Sequence, residues 1–136
     1  MLFRSIAEAA ARSRNAEDLA QVAAVTELFA VDNVETGKAV HHSAEFFRSV
    51  GRATHNQVLL LAQEPLIQLL EPSLQVMIDK VPQARSRITT AQHKIAWALQ
   101  ERDTEGARTW MARHIRDFRK GFEIAGIDLE HRVTTG

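Results

Sequence analysis

Apolar residues recur along this chain at spacings of three and four, the pattern of helices with one buried face. The first stretch, residues 1–13, is Ala-rich and begins without a capping residue. Asn15 then offers a helix N-cap, with Glu17 and Asp18 in the first turn, where carboxylates meet the positive end of the helix dipole. The helix that follows carries Leu19, Val22, Ala23, Thr26 and Phe29 on one stripe and fades near Asp32-Asn33. A third helix is predicted from about Val34 to Ala53, with Val40, Phe46, Phe47 and Val50 facing inward. Thr54-His55-Asn56 interrupts the pattern, and Asn56 is placed to cap what comes next.

The stretch from Gln57 to Val81 is mostly apolar but contains Pro65 and Pro72. A proline inside a helix removes a backbone donor and crowds the preceding turn, so the expectation is a kinked segment or two shorter helices. Pro82 precedes a fifth helix, roughly Gln83 to Glu101, with Ile88, Ala91, Ile95, Ala98 and Leu99 on its apolar face. Asp103 caps the last long helix, with Glu105 in its first turn and Ala107, Trp110, Met111, His114, Ile115, Phe118 and Phe122 inward. Gly126 is placed to end it, and the polar tail from 127 is expected to be loose. Short links between long helices predict an all-α antiparallel bundle of about six helices, with residues 1–136 forming one domain.

Composition agrees with this pattern. Tyr and Cys are absent and Gly and Pro are scarce, so disulfides and thiolate metal sites are excluded. Lys plus Arg number 17 and Asp plus Glu also 17, which leaves no basic excess for gripping phosphate backbones. No apolar run reaches the length of a membrane span, and the N-terminus lacks the layout of a signal peptide. The expectation is a cytoplasmic protein with no membrane partner.

Two stretches go beyond periodicity. One is Ser43-Ala44-Glu45-Phe46-Phe47-Arg48-Ser49-Val50-Gly51-Arg52-Ala53-Thr54-His55-Asn56. The other is Gln92-His93-Lys94-Ile95-Ala96-Trp97-Ala98-Leu99-Gln100-Glu101-Arg102-Asp103, continued through Ala107 and Met111 to His114. Both resemble the FCD domain, the C-terminal sensor domain of FadR-type regulators in the GntR family. Its pattern reads roughly D-x-x-F-H and then A-T-G-N, followed later by H-x-x-I-x-x-A-(I/L), an Asp, a spaced Ala and M-x-x-H. The opening segment, Ala9-Ala10-Ala11 through Asn15-Ala16-Glu17-Asp18-Leu19, is also similar, so the resemblance covers nearly the whole chain.

The resemblance implies a helical bundle that senses a small metabolite, commonly a carboxylate, and contributes to dimerisation. DNA would be contacted only through a winged helix-turn-helix domain, which is absent from this chain; Met1 falls inside what should be the first sensor helix. Many members hold a divalent metal through one Asp and three His. Those positions correspond here to Ser43, Phe47, Gln92 and His114, so only the last His is retained.

The donor set decides against a metal. Positions 43 and 47 share a helix face, but Phe47 cannot ligate and the neutral hydroxyl of Ser43 is a weak ligand. The carbonyl of Gln92 suits hard cations better than zinc. No metal and no other cofactor is therefore expected. His41, His42 and His93 are expected at the surface, with His93 facing Trp97 one turn on. His114 reads either as a hydrogen-bonded core histidine or as an effector contact, and Trp110 lies one turn before it. The expected site is a metal-free effector pocket for a partly apolar ligand, lined by Ser43, Phe47, Gln92, Trp110 and His114. In the competing reading Phe47 fills the old metal site, and the chain is a ligand-free interaction or dimerisation module. Arg85, Arg87, Arg108, Arg113, Arg116 and Arg119 look like a solvated face.

Enzyme readings find little support. The sequence has no nucleophile elbow, Gly-rich phosphate loop or His-Glu-x-x-His motif. None of Glu27, Glu35, Glu45 and Glu123 has a His three residues later, as a carboxylate-bridged di-iron bundle requires. The expectation is a non-enzymatic sensor: a homodimer that binds a small-molecule effector.

Overall fold

Three of the helices begin where a side chain accepts from their free N–H groups. The computed structural model describes residues 2–31 and 34–124, with side chains up to Lys120. They form α1 (Leu2–Ser13), α2 (Ala16–Ala30), α3 (Thr36–Arg52), α4 (Gln57–Lys80), α5 (Ala84–Gln100) and α6 (Thr104–Ile124). No strand occurs among the described residues. Asp32-Asn33, Gly126 and the tail lie outside them.

Asn15 caps α2 in a reciprocal box: its Oδ1 accepts from the Asp18 N–H at 2.8 Å, and Asp18 Oδ2 accepts from the Asn15 N–H at 2.8 Å. Asn56 accepts from the N–H groups of Val58 and Leu59 to start α4. Asp103 accepts from Gly106 N–H to start α6. A side chain at Gly106 would meet that carboxylate, which would have to turn to make room.

Two reversals use left-handed backbone at residues other than glycine, His55 at φ 52° and Arg102 at φ 53°. Such conformations cost roughly 1–2 kcal/mol. Both side chains make bonds that offset it. His55 Nε2 lies 2.6 Å from Asp18 Oδ2, tying the α3–α4 turn to the start of α2. Arg102 donates to the carbonyls of Arg12 and Arg14 at the end of α1. His55 occupies the glycine position of the A-T-G-N pattern, which explains why that pattern has glycine there.

The helices pack as hairpins, α2 on α3, α3 on α4 and α5 on α6, with α2 also against α5. Helix α1 lies on α6 and also touches α3 and α5. Ala7, Ala10 and Ala11 are fully buried on α1, and these small side chains let the neighbouring helices approach closely. Phe46 and Phe47 sit in the core at no more than 2% exposure, worth roughly 2–3 kcal/mol apiece in buried area.

Of the two alternatives for the proline-containing segment, the two-helix one does not hold. Gln57–Lys80 runs as one helix through both prolines, not as two shorter helices. Pro65 and Pro72 stand on the exposed side, so the carbonyls that lose their partners can turn to water. On the other side Gln63, Ile67, Ser73, Leu74, Met77 and Ile78 are buried, and that packing holds the helix through its interruptions.

Arg48 binds α3 to α4. Its Nε lies 3.0 and 3.1 Å from the two Glu64 oxygens and its Nη1 3.0 Å from Glu45. Its Nη2 reaches Glu64 at 2.6 Å and Glu71 at 3.6 Å. The hydrogen bond from Arg48 holds the Glu64 carboxyl below its ordinary range.

Candidate functional site

The polar positions on the inner faces of α3, α5 and α6 are buried more completely than most of the apolar core. Ser43 and Gln92 have no exposed surface and His114 has 1%. Ser43 Oγ, both amide atoms of Gln92 and His114 Nε2 have no protein hydrogen-bond partner. Buried polar atoms are normally satisfied, and each unmade bond costs about 1–3 kcal/mol. Four such atoms on these three side chains are the feature of the core that folding alone does not explain.

His114 stands in an aromatic box. The Phe47 ring stacks on it, with centroids 5.5 Å apart and planes 18° apart. Phe118 lies 4.4 Å away and Phe46 approaches edge-on at 6.3 Å. Burial in this box pushes the imidazole pKa down to about 4, against a weaker upward pull from Asp117. At neutral pH the ring is therefore uncharged, with one nitrogen able to accept and the other to donate.

The Phe47 side leaves little room: the space bounded by Ala44, Phe47, Ile67 and Leu74 is about 10 Å³. Phe47 thus fills the volume beside His114 on that side. The space lies on the other side, between α5 and α6. A groove of about 460 Å³ is lined by Trp110 and His114 together with Arg87, Arg113, Arg116 and Lys120. A smaller depression of about 180 Å³ continues past His114 and Phe118 toward Met77 and Ile88. His114 borders both spaces with only a sliver of its ring reachable, so it is a closed floor rather than a projecting wall.

Of the five expected site residues, Trp110 and His114 share this groove, and Phe47 stacks directly on His114. Ser43 and Gln92 are buried in the core and do not line the groove, and neither does Phe47. Trp110 is half-buried, with Arg113 5.0 Å from its ring centroid and Lys94 5.7 Å.

The retained donors do not fit a metal ion. The four positions supply one imidazole, one amide, one hydroxyl and a phenyl ring. Among the described residues no three His, Cys, Asp or Glu side chains converge. His41 and His93 are exposed and His42 is half-buried. His93 Nε2 lies 3.4 Å from Glu27 Oε1, a partner on α2, rather than being defined by Trp97.

Sequence reasoning missed two features. One is Gln63, fully buried on α4, whose Nε2 donates to the Phe47 carbonyl at 3.0 Å while its Oε1 is unpartnered. The amide occupies the place where a side chain at Gly51 would sit, so that glycine is the signal for it. The other is the choice of arginines. Arg87, Arg113 and Arg116 gather on the groove with Lys120, whereas Arg85, Arg108 and Arg119 do not. Arg87 is held by Asp117 at 2.9 Å.

No described helix is long and apolar enough to cross a membrane. No curated protein matches the sequence. The FCD domain family profile matches residues 1–117, a span that takes in α1 to α5, most of α6 and all five expected site residues. The FCD domain is the effector-binding domain of GntR-family regulators, and this chain belongs to the FCD domain family.

Proposed function

We propose that this chain is the effector-sensing and dimerising part of a FadR-like GntR regulator, binding a small organic acid or related metabolite without a metal. The observation that carries this reading is His114: an uncharged imidazole, its Nε2 without a hydrogen-bond partner, at the floor of a groove wide enough for a small ligand. Ser43 and Gln92 support it, because their unmade hydrogen bonds become useful only if a ligand or a bound water reaches them. Phe47 takes the metal's former place and turns the inner end of the site apolar. No chemical step is required of these residues. Binding would favour one dimer geometry and so shift DNA-binding domains carried elsewhere, with a coupling of about 1–3 kcal/mol. A thermal-shift panel of carboxylic acids and related metabolites tests this: at least one should raise the melting temperature, and His114→Phe should abolish the rise. A panel with no effect contradicts the sensor reading.

The partner in this reading is a second copy. Helix α4 exposes Val58 at 74%, Leu61 at 68% and Leu69 at 75%, with Leu66, Pro65 and Pro72 on the same stripe. Beside that row runs a groove of about 290 Å³ between Phe3, Leu70, Ile115 and Phe118. A ridge next to a groove is self-complementary about a two-fold axis. The acidic residues of the stripe, Glu64 and Glu71, are already engaged by Arg48 and so do not repel a second copy. Light scattering should give a dimer for the native chain and a monomer for Leu61→Glu/Leu69→Glu. A native monomer contradicts this surface.

One observation favours the other reading. Phe47 packs so fully against His114 that the inner site is filled. A ligand-free dimerisation module would show the α4-dependent dimer but no response to any small molecule.

A further inference from the structure

The α5/α6 groove carries its charge in an unexpected place. Its cations, Arg87, Arg113, Arg116 and Lys120, are at the rim, while its floor is the uncharged His114 ring. Arg87 is cancelled by Asp117, the acidic residue on the same lining. Arg116 and Lys120 are exposed and have no carboxylate partner among the described residues, and Arg113 rests on Trp110. Among the described residues, three positive charges therefore have no carboxylate partner around one concave space. Among the described residues no cation lies at the buried end to stabilise a carboxylate there, and a charge buried without a partner is costly.

We propose that the groove binds a small phosphate monoester, with the phosphate held at the rim by Arg113, Arg116 and Lys120 and a neutral body against Trp110 and His114. This inference rests on the effector-sensing reading and gives the effector's class and its orientation. A phosphate monoester brings nearly two charges and three acceptor oxygens, which suits three cations better than a single carboxylate does. The neutral body meets a floor formed by the uncharged, almost sealed His114 ring and the half-buried Trp110. The orientation is the reverse of a carboxylate delivered to an inner metal. The observations favour a small molecule over nucleic acid, because the surface is concave, Asp117 stands inside it and the chain has no net charge.

The test is calorimetric titration of the full chain with phenyl phosphate, with benzoate as the carboxylate on the same body and inorganic phosphate as the head alone. Phenyl phosphate should bind about tenfold or more tighter than benzoate. Arg116→Gln/Lys120→Gln should weaken phenyl phosphate and inorganic phosphate by about tenfold or more and leave benzoate little changed. Both side chains are exposed, so the double variant should keep the native circular dichroism and melting temperature. Arg12→Gln, paired only with Glu8 on the outside of α1, should bind as the native chain does. Benzoate binding as tightly as phenyl phosphate overturns the proposal while leaving the sensor reading intact. So does indifference of phosphate binding to the double variant, or absence of phosphate binding in a chain that the carboxylate panel stabilises. Salt-sensitive duplex DNA binding lost in the same variant would also overturn it, by making the rim a nucleic-acid surface.

Discussion

Two groups of polar side chains, each with a member on α3, are built in opposite ways. At Arg48 every charge is answered: Glu64 is gripped through both oxygens, Glu45 and Glu71 complete the cluster, and all of it remains partly in water. Ser43 on α3, Gln92 on α5 and His114 on α6, by contrast, are sealed from solvent with polar atoms left unbonded. The first arrangement is what a protein does to fasten two helices. The second costs folding energy, and a protein tolerates it where the polarity serves something other than its own stability. The difference separates a structural cluster from a candidate site without reference to any family.

Phe47 is the side chain on which the contrast turns, and its removal should have the largest effect. Phe47→Ala should cost about 3–5 kcal/mol in urea unfolding, because the space around His114 and Ile67 cannot collapse fully. A loss below about 1 kcal/mol would mean that the ring does not fill the inner site.

The next effect is one of pH. His114 has a folded pKa of about 4 against 6.5 for the free side chain, so the unfolded chain binds the extra proton first. Stability from this group is complete above about pH 6.5 and declines as pH falls toward about 4, by up to ~3 kcal/mol. His114→Phe should remove that slope. Arg48 shifts the Glu64 carboxyl the other way, below its ordinary value and away from the range in which the His114 slope lies. Equal slopes in the two proteins would show that His114 titrates normally and is wet.

Arg48→Ala should be milder, about 1–2 kcal/mol, and the native advantage should shrink in high salt because the partners are partly exposed. The smallest change should come from Gln92→Leu. Its amide makes no protein bond, so an apolar replacement should fall within about 1 kcal/mol of the native stability or above it. A loss beyond about 2 kcal/mol would place Gln92 with the paired cluster and dissolve the contrast.

Much of the fold was legible from sequence. Asn15, Asn56 and Asp103 each announced a helix start, and each makes the capping bond its position implied. The break into two helices that Pro65 and Pro72 suggested does not occur in α4, where the freed carbonyls can turn to water. Pro65 and Pro72 are seven residues apart, two turns, so they share one face, and that face is exposed. The same helix carries apolar residues on more than one face, so the exposed stripe from Val58 to Leu69 did not stand out in the sequence. At the site, the burial of Ser43, Phe47, Gln92 and His114 followed from their places on inward faces. The rim did not, since which arginines converge depends on how α5 and α6 lie together. Nor did the position of the groove, on the α5/α6 side of His114 and away from Phe47.

The central claim is that the unmade bonds around His114 are kept for a ligand. Native mass spectrometry of the protein as purified, repeated after adding the metabolites that stabilise it, tests this most directly. The account predicts a dimer that takes up one small molecule per chain, with uptake lost in His114→Phe. A protein that retains its bare polypeptide mass under every addition contradicts the account and leaves the filled-core dimerisation module in its place.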